Sequence, residues 1–150
     1  KRLSDEVRME RLANGDSHAM RLDSHKALEL VGGLQWHDLE IGTRSVSMEK
    51  LGDVVLARKD ITNSYHLAVC VDDAAQGVTL VTRGEDLLES THVHRLLQQL
   101  LGFPVPQWHH HSLIRDEKGR RFAKRDGGLS LSAIRASGKD ANEIRQELGF

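Results

Sequence analysis

The chain has 150 residues, room for one compact domain with its own core. Its 21 Lys and Arg nearly balance 22 Asp and Glu, so the net charge of −1 makes no global case for nucleic acid, and any such site must be local. One cysteine excludes an internal disulfide framework and a cysteine-rich zinc site within these residues, and no apolar run approaches membrane-spanning length.

Taken in order, Ser4 caps a predicted helix over Asp5 to Leu12, with acids in its first turn and Val7, Met9 and Leu12 as its candidate inward positions. Asn14-Gly15 stops it. Residues 21–43 read as largely irregular, with Arg21-Leu22-Asp23 as a short strand and turns at Gly32-Gly33 and Gly42. Inside them LQWHDLEI, residues 34–41, alternates apolar and polar and reads as a half-exposed strand, with Trp36 a packing residue.

The stretch from Asp53 to Thr91 organises the chain. Val54-Val55-Leu56-Ala57 is a buried strand, and a turn follows at Asp60 to Asn63. In Tyr65 to Ala75 the valines favour a strand, but Leu67, Ala68, Val71, Ala74 and Ala75 recur at helical spacing. With Ser64 as N-cap and Gly77 as stop, the segment is predicted helical. Val78 to Thr82 is a second strand that delivers Arg83 and Gly84 at its end. Strand, turn, helix, strand, then helix is the order of a parallel α/β unit, with the helix as the crossover between the two strands. Ligands of such sheets sit beyond the carboxyl ends of the strands, which makes Arg83 a ligand-contact candidate.

A helix is predicted from Asp86 to Leu101, with Val93, Leu96, Leu97 and Leu100 as its apolar stripe, ended by Gly102 and Pro104. Val105 to Ile114 then holds a strand that ends at Leu113-Ile114, followed by a turn at Asp116 to Gly119 and a basic, glycine-ended loop from Arg120 to Gly128. Ser130 to Ala136 and the residues after Asp140 are short helices, the latter with Glu143 placed for a capping box.

Three constellations could carry chemistry. The cations between Arg115 and Arg125 suit either a solvated loop or a phosphate site. Arg83 could grip a carboxylate with Tyr65 donating to the same ligand, or it could pair with Asp72, Asp73 or Glu85. His109, His110 and His111 alternate faces on a strand, and His92 and His94 do not share a helix face, so none of these sets converges on one metal. Cys70 reads as a small core residue.

SYHLAVCVDDAAQGVTLVTRGEDLLEST, followed by HRLLQQLLGFPVPQWHHHSLIRDEKGRRFAKRDG, resembles the second half of a class I glutamyl-tRNA synthetase catalytic domain. Within that family it is most similar to the truncated glutamyl-Q tRNA(Asp) branch. The likeness is firm from Gly52 to Gly128. It implies an α/β fold: the second half of a Rossmann-type catalytic domain, with parallel strands and crossover helices. Residues 1–51 would be a connecting region, 52–128 that second half with its KMSKS-like loop, and 129–150 a helical C-terminal segment.

The family activates glutamate with ATP and Mg2+, and the truncated branch passes it to queuosine in tRNA(Asp). By position, Tyr65 and Arg83 would hold L-glutamate. Arg121 to Arg125, RFAKR, would stand for KMSKS, with Lys124 its second lysine against the ATP phosphates and Arg121 in place of its first. Asp86 would approach the nucleotide, and Leu113 and Ile114 would present backbone to adenine. Arg121 keeps a charge but not an ammonium, and Ala123 lacks the loop serine's hydroxyl. The HIGH motif and the zinc cysteines of many relatives belong to the first half of such a domain and are not in this sequence, so any zinc would be held by residues upstream. The resemblance therefore implies a cytoplasmic, monomeric ligase with no membrane partner, of which these 150 residues alone would be inactive.

Overall fold

The structure is a computed structural model that describes residues 3–49, 51–60, 62–115, 119 and 130–147. The chain forms two compact units, Lys1–Ser112 and Leu113–Phe150.

In the first unit α1 (Asp5–Ala13) starts where the Val7 N–H donates to Ser4 Oγ. Strand β1 (Ala19–Leu22) leads into α2 (Ser24–Val31), whose N-cap is Asp23. This helix corrects the irregular reading of residues 21–43. Asp23 accepts from the Lys26 N–H, and Ala27 is buried in the core. A capped amphipathic segment of eight residues is short enough to be overlooked between two glycine turns.

Strands β2 (Gln35–Asp38) and β3 (Gly42–Ser45) make an antiparallel hairpin. Strand β4 (Val54–Arg58) pairs antiparallel with β1 in a separate two-stranded sheet. Here the reading of a parallel unit from β4 to the next strand is corrected. A short buried run looks the same in sequence whichever sheet it joins.

Helix α3 (Tyr65–Gln76) confirms the helical choice: the Leu67 N–H donates to Ser64 Oγ. It ends at Gly77, whose φ of 66° lets the Val78 N–H reach the Asp73 carbonyl at 2.9 Å. Strand β5 (Leu80–Gly84) runs into a 3-10 turn at Glu85–Leu87 and then α4 (Leu88–Leu101), which stops on Gly102 in the same left-handed way. Strand β6 (Gln107–His111) follows and ends before Leu113-Ile114, short of the end expected from the sequence.

The four-stranded sheet has the order β3-β2-β6-β5, with β6 parallel to both β2 and β5. The parallel crossover is thus β5–α4–β6. The predicted stripe of α4 is its buried side: Val93, Leu96 and Leu97 join Ala27, Leu34, Met48, Val54 and Cys70 in one core, with Leu100 packed against it. No helix among the described residues is long and apolar enough to cross a membrane.

In the second unit α5 (Leu131–Ala136) is capped by Ser130, which accepts from the Ala133 N–H at 3.2 Å. Before α6 (Ala141–Glu147), Asp140 accepts from the Glu143 N–H at 2.9 Å while Glu143 accepts from the Asp140 N–H at 2.8 Å. That reciprocal pair is the capping box expected from the sequence.

Candidate active site

Successive side chains of a strand point to opposite faces. The register pairs Val81 with Trp108 and Arg83 with His110, so all four share the face that carries Trp36 and Asp38 from β2. Trp36 and Trp108 are buried and meet edge to face, 5.8 Å between centroids. This apolar pair surrounds the polar groups with low-dielectric material, so each of them needs a partner.

Each has one. Asp38 Oδ2 accepts from His110 Nδ1 at 2.6 Å and from the His110 backbone N–H at 3.1 Å. Its Oδ1 accepts from the Glu40 and Ile41 N–H groups at 2.9 and 3.2 Å. Burial alone would raise the Asp38 pKa, but the His110 and backbone hydrogen bonds outweigh it and hold the carboxyl below its usual range.

Arg83 is the next member. Its Nε donates to His110 Nε2 at 3.1 Å, one terminal nitrogen to His94 Nδ1 at 3.1 Å, and the other to Thr91 Oγ1 at 2.5 Å. Thr91 and His94 lie three apart on α4, hence on one helical face. Burial lowers the Arg83 pKa, and the Tyr65 phenol opposes this through charge and a hydrogen bond, with Asp73 adding a weaker favourable field. Among the described residues no ion pair joins Arg83 to Asp72 or Asp73. Tyr65, the first residue of α3, is half exposed, and its ring lies 5.7 Å from that of His94.

Tautomers follow from the donors. Arginine has no acceptor, so both imidazole nitrogens facing Arg83 must be unprotonated. His110 then carries its proton on Nδ1, toward Asp38, and His94 on Nε2, toward His66 Nδ1 at 3.1 Å. Burial, followed by the Arg83 charge, pushes the His94 pKa down to about 3, and the same two causes lower that of His66. Three of the five N–H donors of Arg83 thus go to neutral acceptors. The other two, one on each terminal nitrogen, remain for an anion and for Tyr65. The arrangement can hold a carboxylate through one guanidinium N–H, with the Tyr65 hydroxyl as a second donor.

A cleft of about 470 Å³ opens beside this cluster, lined by Arg21, Val54, Arg58, Ser64, Tyr65 and His66 among others. Arg83 does not line it; Tyr65 and His66 belong to both.

The structure therefore brings Tyr65 and Arg83 together. Asp86 lies in the turn directly after β5, exposed to solvent. Leu113 and Ile114 open the second unit, Leu113 half-buried and Ile114 exposed. Lys124 and Arg121 lie outside the described residues, as do the rest of the basic loop from Arg120 and the Asp116–Lys118 part of its turn. Cys70 is buried as expected, and burial, with Asp73 adding to it, pushes its thiol up to about 12. Sequence reasoning did not assign Asp38, His66, Thr91, His94 or His110 to this cluster. The alternation of the triple histidine did separate His110 from its neighbours, and a buried acid two residues after Trp36 was the remaining signal.

Residues 1–148 match the family described as tRNA synthetases class I (E and Q), catalytic domain. The chain belongs to that family. Among its relatives, the glutamyl-Q tRNA(Asp) synthetase of Rhodobacter capsulatus is 54% identical over 115 residues, which is 77% of this chain and 40% of that protein. The glutamyl-Q tRNA(Asp) synthetase of Nocardia farcinica is 43% identical over 143 residues, 95% of this chain and 43% of that protein. The crystal structure of the glutamate-tRNA synthetase from Elizabethkingia anophelis superposes with a TM-score of 0.64 at 31% identity, over 83% of this chain and 25% of that one. This class I chain thus spans about 40% of the length of these curated relatives. The Rossmann-type α/β assignment made from sequence holds at the level of the catalytic-domain fold.

Proposed function

We propose that the protein carrying this chain activates L-glutamate with ATP and passes it to the queuosine base of tRNA(Asp). The observation that carries this reading is the Arg83 guanidinium, fixed by neutral acceptors beside Tyr65 at the carboxyl end of β5. A cation oriented without a carboxylate partner keeps its charge for an anionic ligand. A tyrosine and an arginine in fixed positions select a dicarboxylic amino acid by hydrogen bonds that an amide or apolar analogue would leave unmade.

In the proposed reaction the α-carboxylate of glutamate attacks the α-phosphate of ATP, supplied with Mg2+, and pyrophosphate leaves. Lys124 and Arg121 would stabilise the charge on the departing group without moving a proton. Asp86, Leu113 and Ile114 would contact the nucleotide. A queuosine hydroxyl then attacks the activated carbonyl and AMP departs. The choice of tRNA(Asp) over tRNA(Glu) is supported by the names of the 54% and 43% identical relatives.

Labelled glutamate should enter queuosine-containing tRNA(Asp) and not tRNA(Asp) that lacks the modified base. Charging of tRNA(Glu) alone would instead favour a second reading, an ordinary glutamate–tRNA ligase, which the likeness to the Elizabethkingia enzyme supports. Absence of glutamate-dependent ATP–pyrophosphate exchange would point to a non-catalytic paralogue, a reading motivated by Arg121 and Ala123 in the loop.

A further inference from the structure

We infer that His94 is a positioning residue for Arg83, and that His66 fixes the tautomer in which it can serve. The inference rests on the reading of Arg83 as the glutamate-holding cation and deepens it. Arg83 reaches the site from β5, at the edge of the sheet, with one strand neighbour. His110 holds its Nε from that neighbour. The two terminal nitrogens are held from α4, by Thr91 and by His94. Without His94 one terminal nitrogen loses its anchor, and the plane of the guanidinium can turn about the two bonds that remain.

A histidine does this only in one protonation form. With a proton on Nδ1, His94 would set an N–H against an Arg83 N–H. The form with Nε2–H is selected from the far side, where His66 Nδ1 lies 3.1 Å from His94 Nε2 and can accept that proton. His66 is itself held against Tyr65 and His94 by ring contacts of 5.6 and 5.2 Å. The Cys70 thiol, which points at the His94 carbonyl at 3.7 Å, ties the same turn of α4 to α3. So α3, which supplies Tyr65, also sets the imidazole that aims Arg83. The two groups proposed to read the amino acid are thereby aligned through the Arg83–His94 and His94–His66 hydrogen bonds and the ring contact of His66 with Tyr65. Any substrate that demands a different angle between them is disfavoured.

The test is glutamate-dependent ATP–pyrophosphate exchange by the intact protein, together with nitrogen NMR of its histidine side chains. His94→Leu should raise the glutamate KM about ten- to a hundredfold, with the ATP KM changed less than about twofold. His94→Asn, whose side-chain oxygen can take the place of Nδ1 as acceptor, should recover most of the loss. A merely structural role would instead change both KM values and stability together, without rescue. In the unsubstituted protein His94 should carry its proton on Nε2. A folded His94→Leu protein with unchanged glutamate KM would overturn the inference, and so would a proton on His94 Nδ1. The tautomer decides should His94→Leu fail to fold. Arg83→Ala separates the two claims: glutamate use indifferent to Arg83 sinks the parent reading, whereas use that depends on Arg83 but not on His94 sinks only this one.

Discussion

The two faces of the four-stranded sheet are built from interleaved residues and behave in opposite ways. One face carries Trp36, Asp38, Arg83, Trp108 and His110 under α4, and every bond that Asp38 and Arg83 make there goes to a fixed partner. The other carries Gln35, His37, Leu80, Thr82 and His111, all exposed, with His109 half-buried against Glu40. His109, His110 and His111 show the contrast in three successive identical residues: only His110 is buried, and it alone touches both Asp38 and Arg83. The lesson is that preorganisation here comes from burial on one face, and residue type alone does not supply it.

Substitutions that move this boundary should have graded effects. The largest is expected for Asp38→Ala, which strips four hydrogen bonds from a buried carboxylate and leaves the His110 ring without its anchor. Chemical denaturation should show a loss of about 3–5 kcal/mol. A second, smaller effect is a pH dependence. The folded His94 and His66 pKa values lie below the ordinary 6.5. Between the folded and unfolded values the unfolded chain binds protons that the folded one refuses. The His94 contribution is therefore complete above about pH 6.5 and is lost as pH falls toward about 3, at up to about 1.4 kcal/mol per pH unit, and His66 acts in the same direction. Asp38, held below its usual carboxylate range, adds its own loss only at lower pH, below about 4. Urea midpoints between pH 7 and 4.5 should fall in the unsubstituted protein and fall less in His94→Asn. The smallest effect belongs to the outer face: His109→Ala should change stability by no more than about 0.5 kcal/mol, since it removes only a contact with an exposed glutamate.

Much of this was legible before any coordinates. The caps Ser4, Ser64 and Ser130, the glycine stops at 77 and 102 and the stripe of α4 are local signals, and each placed an element correctly. Arg83 at a strand end was legible as a ligand candidate, but spacing left it free to pair with Asp72, Asp73 or Glu85, and only the family resemblance joined it to Tyr65. What was not legible is what spans distance. Asp38 and His110 are 72 residues apart, Arg83 and His110 are 27 apart, and His66 and His94 are 28 apart. No periodicity connects such positions; only the register of β2, β6 and β5 does. The partner of β4 was hidden for the same reason, since β1 lies more than thirty residues earlier. Helix α2 was missed on a local signal that was present, Asp23 followed by an eight-residue amphipathic run.

The central claim is that Arg83 holds the acidic amino acid, and glutamate-dependent ATP–pyrophosphate exchange by Arg83→Ala tests it most directly. The glutamate KM should rise about a hundredfold, as loss of a charge-assisted contact requires, while the ATP KM stays within about twofold. An unchanged glutamate KM, or an equal rise in both constants, would contradict the account.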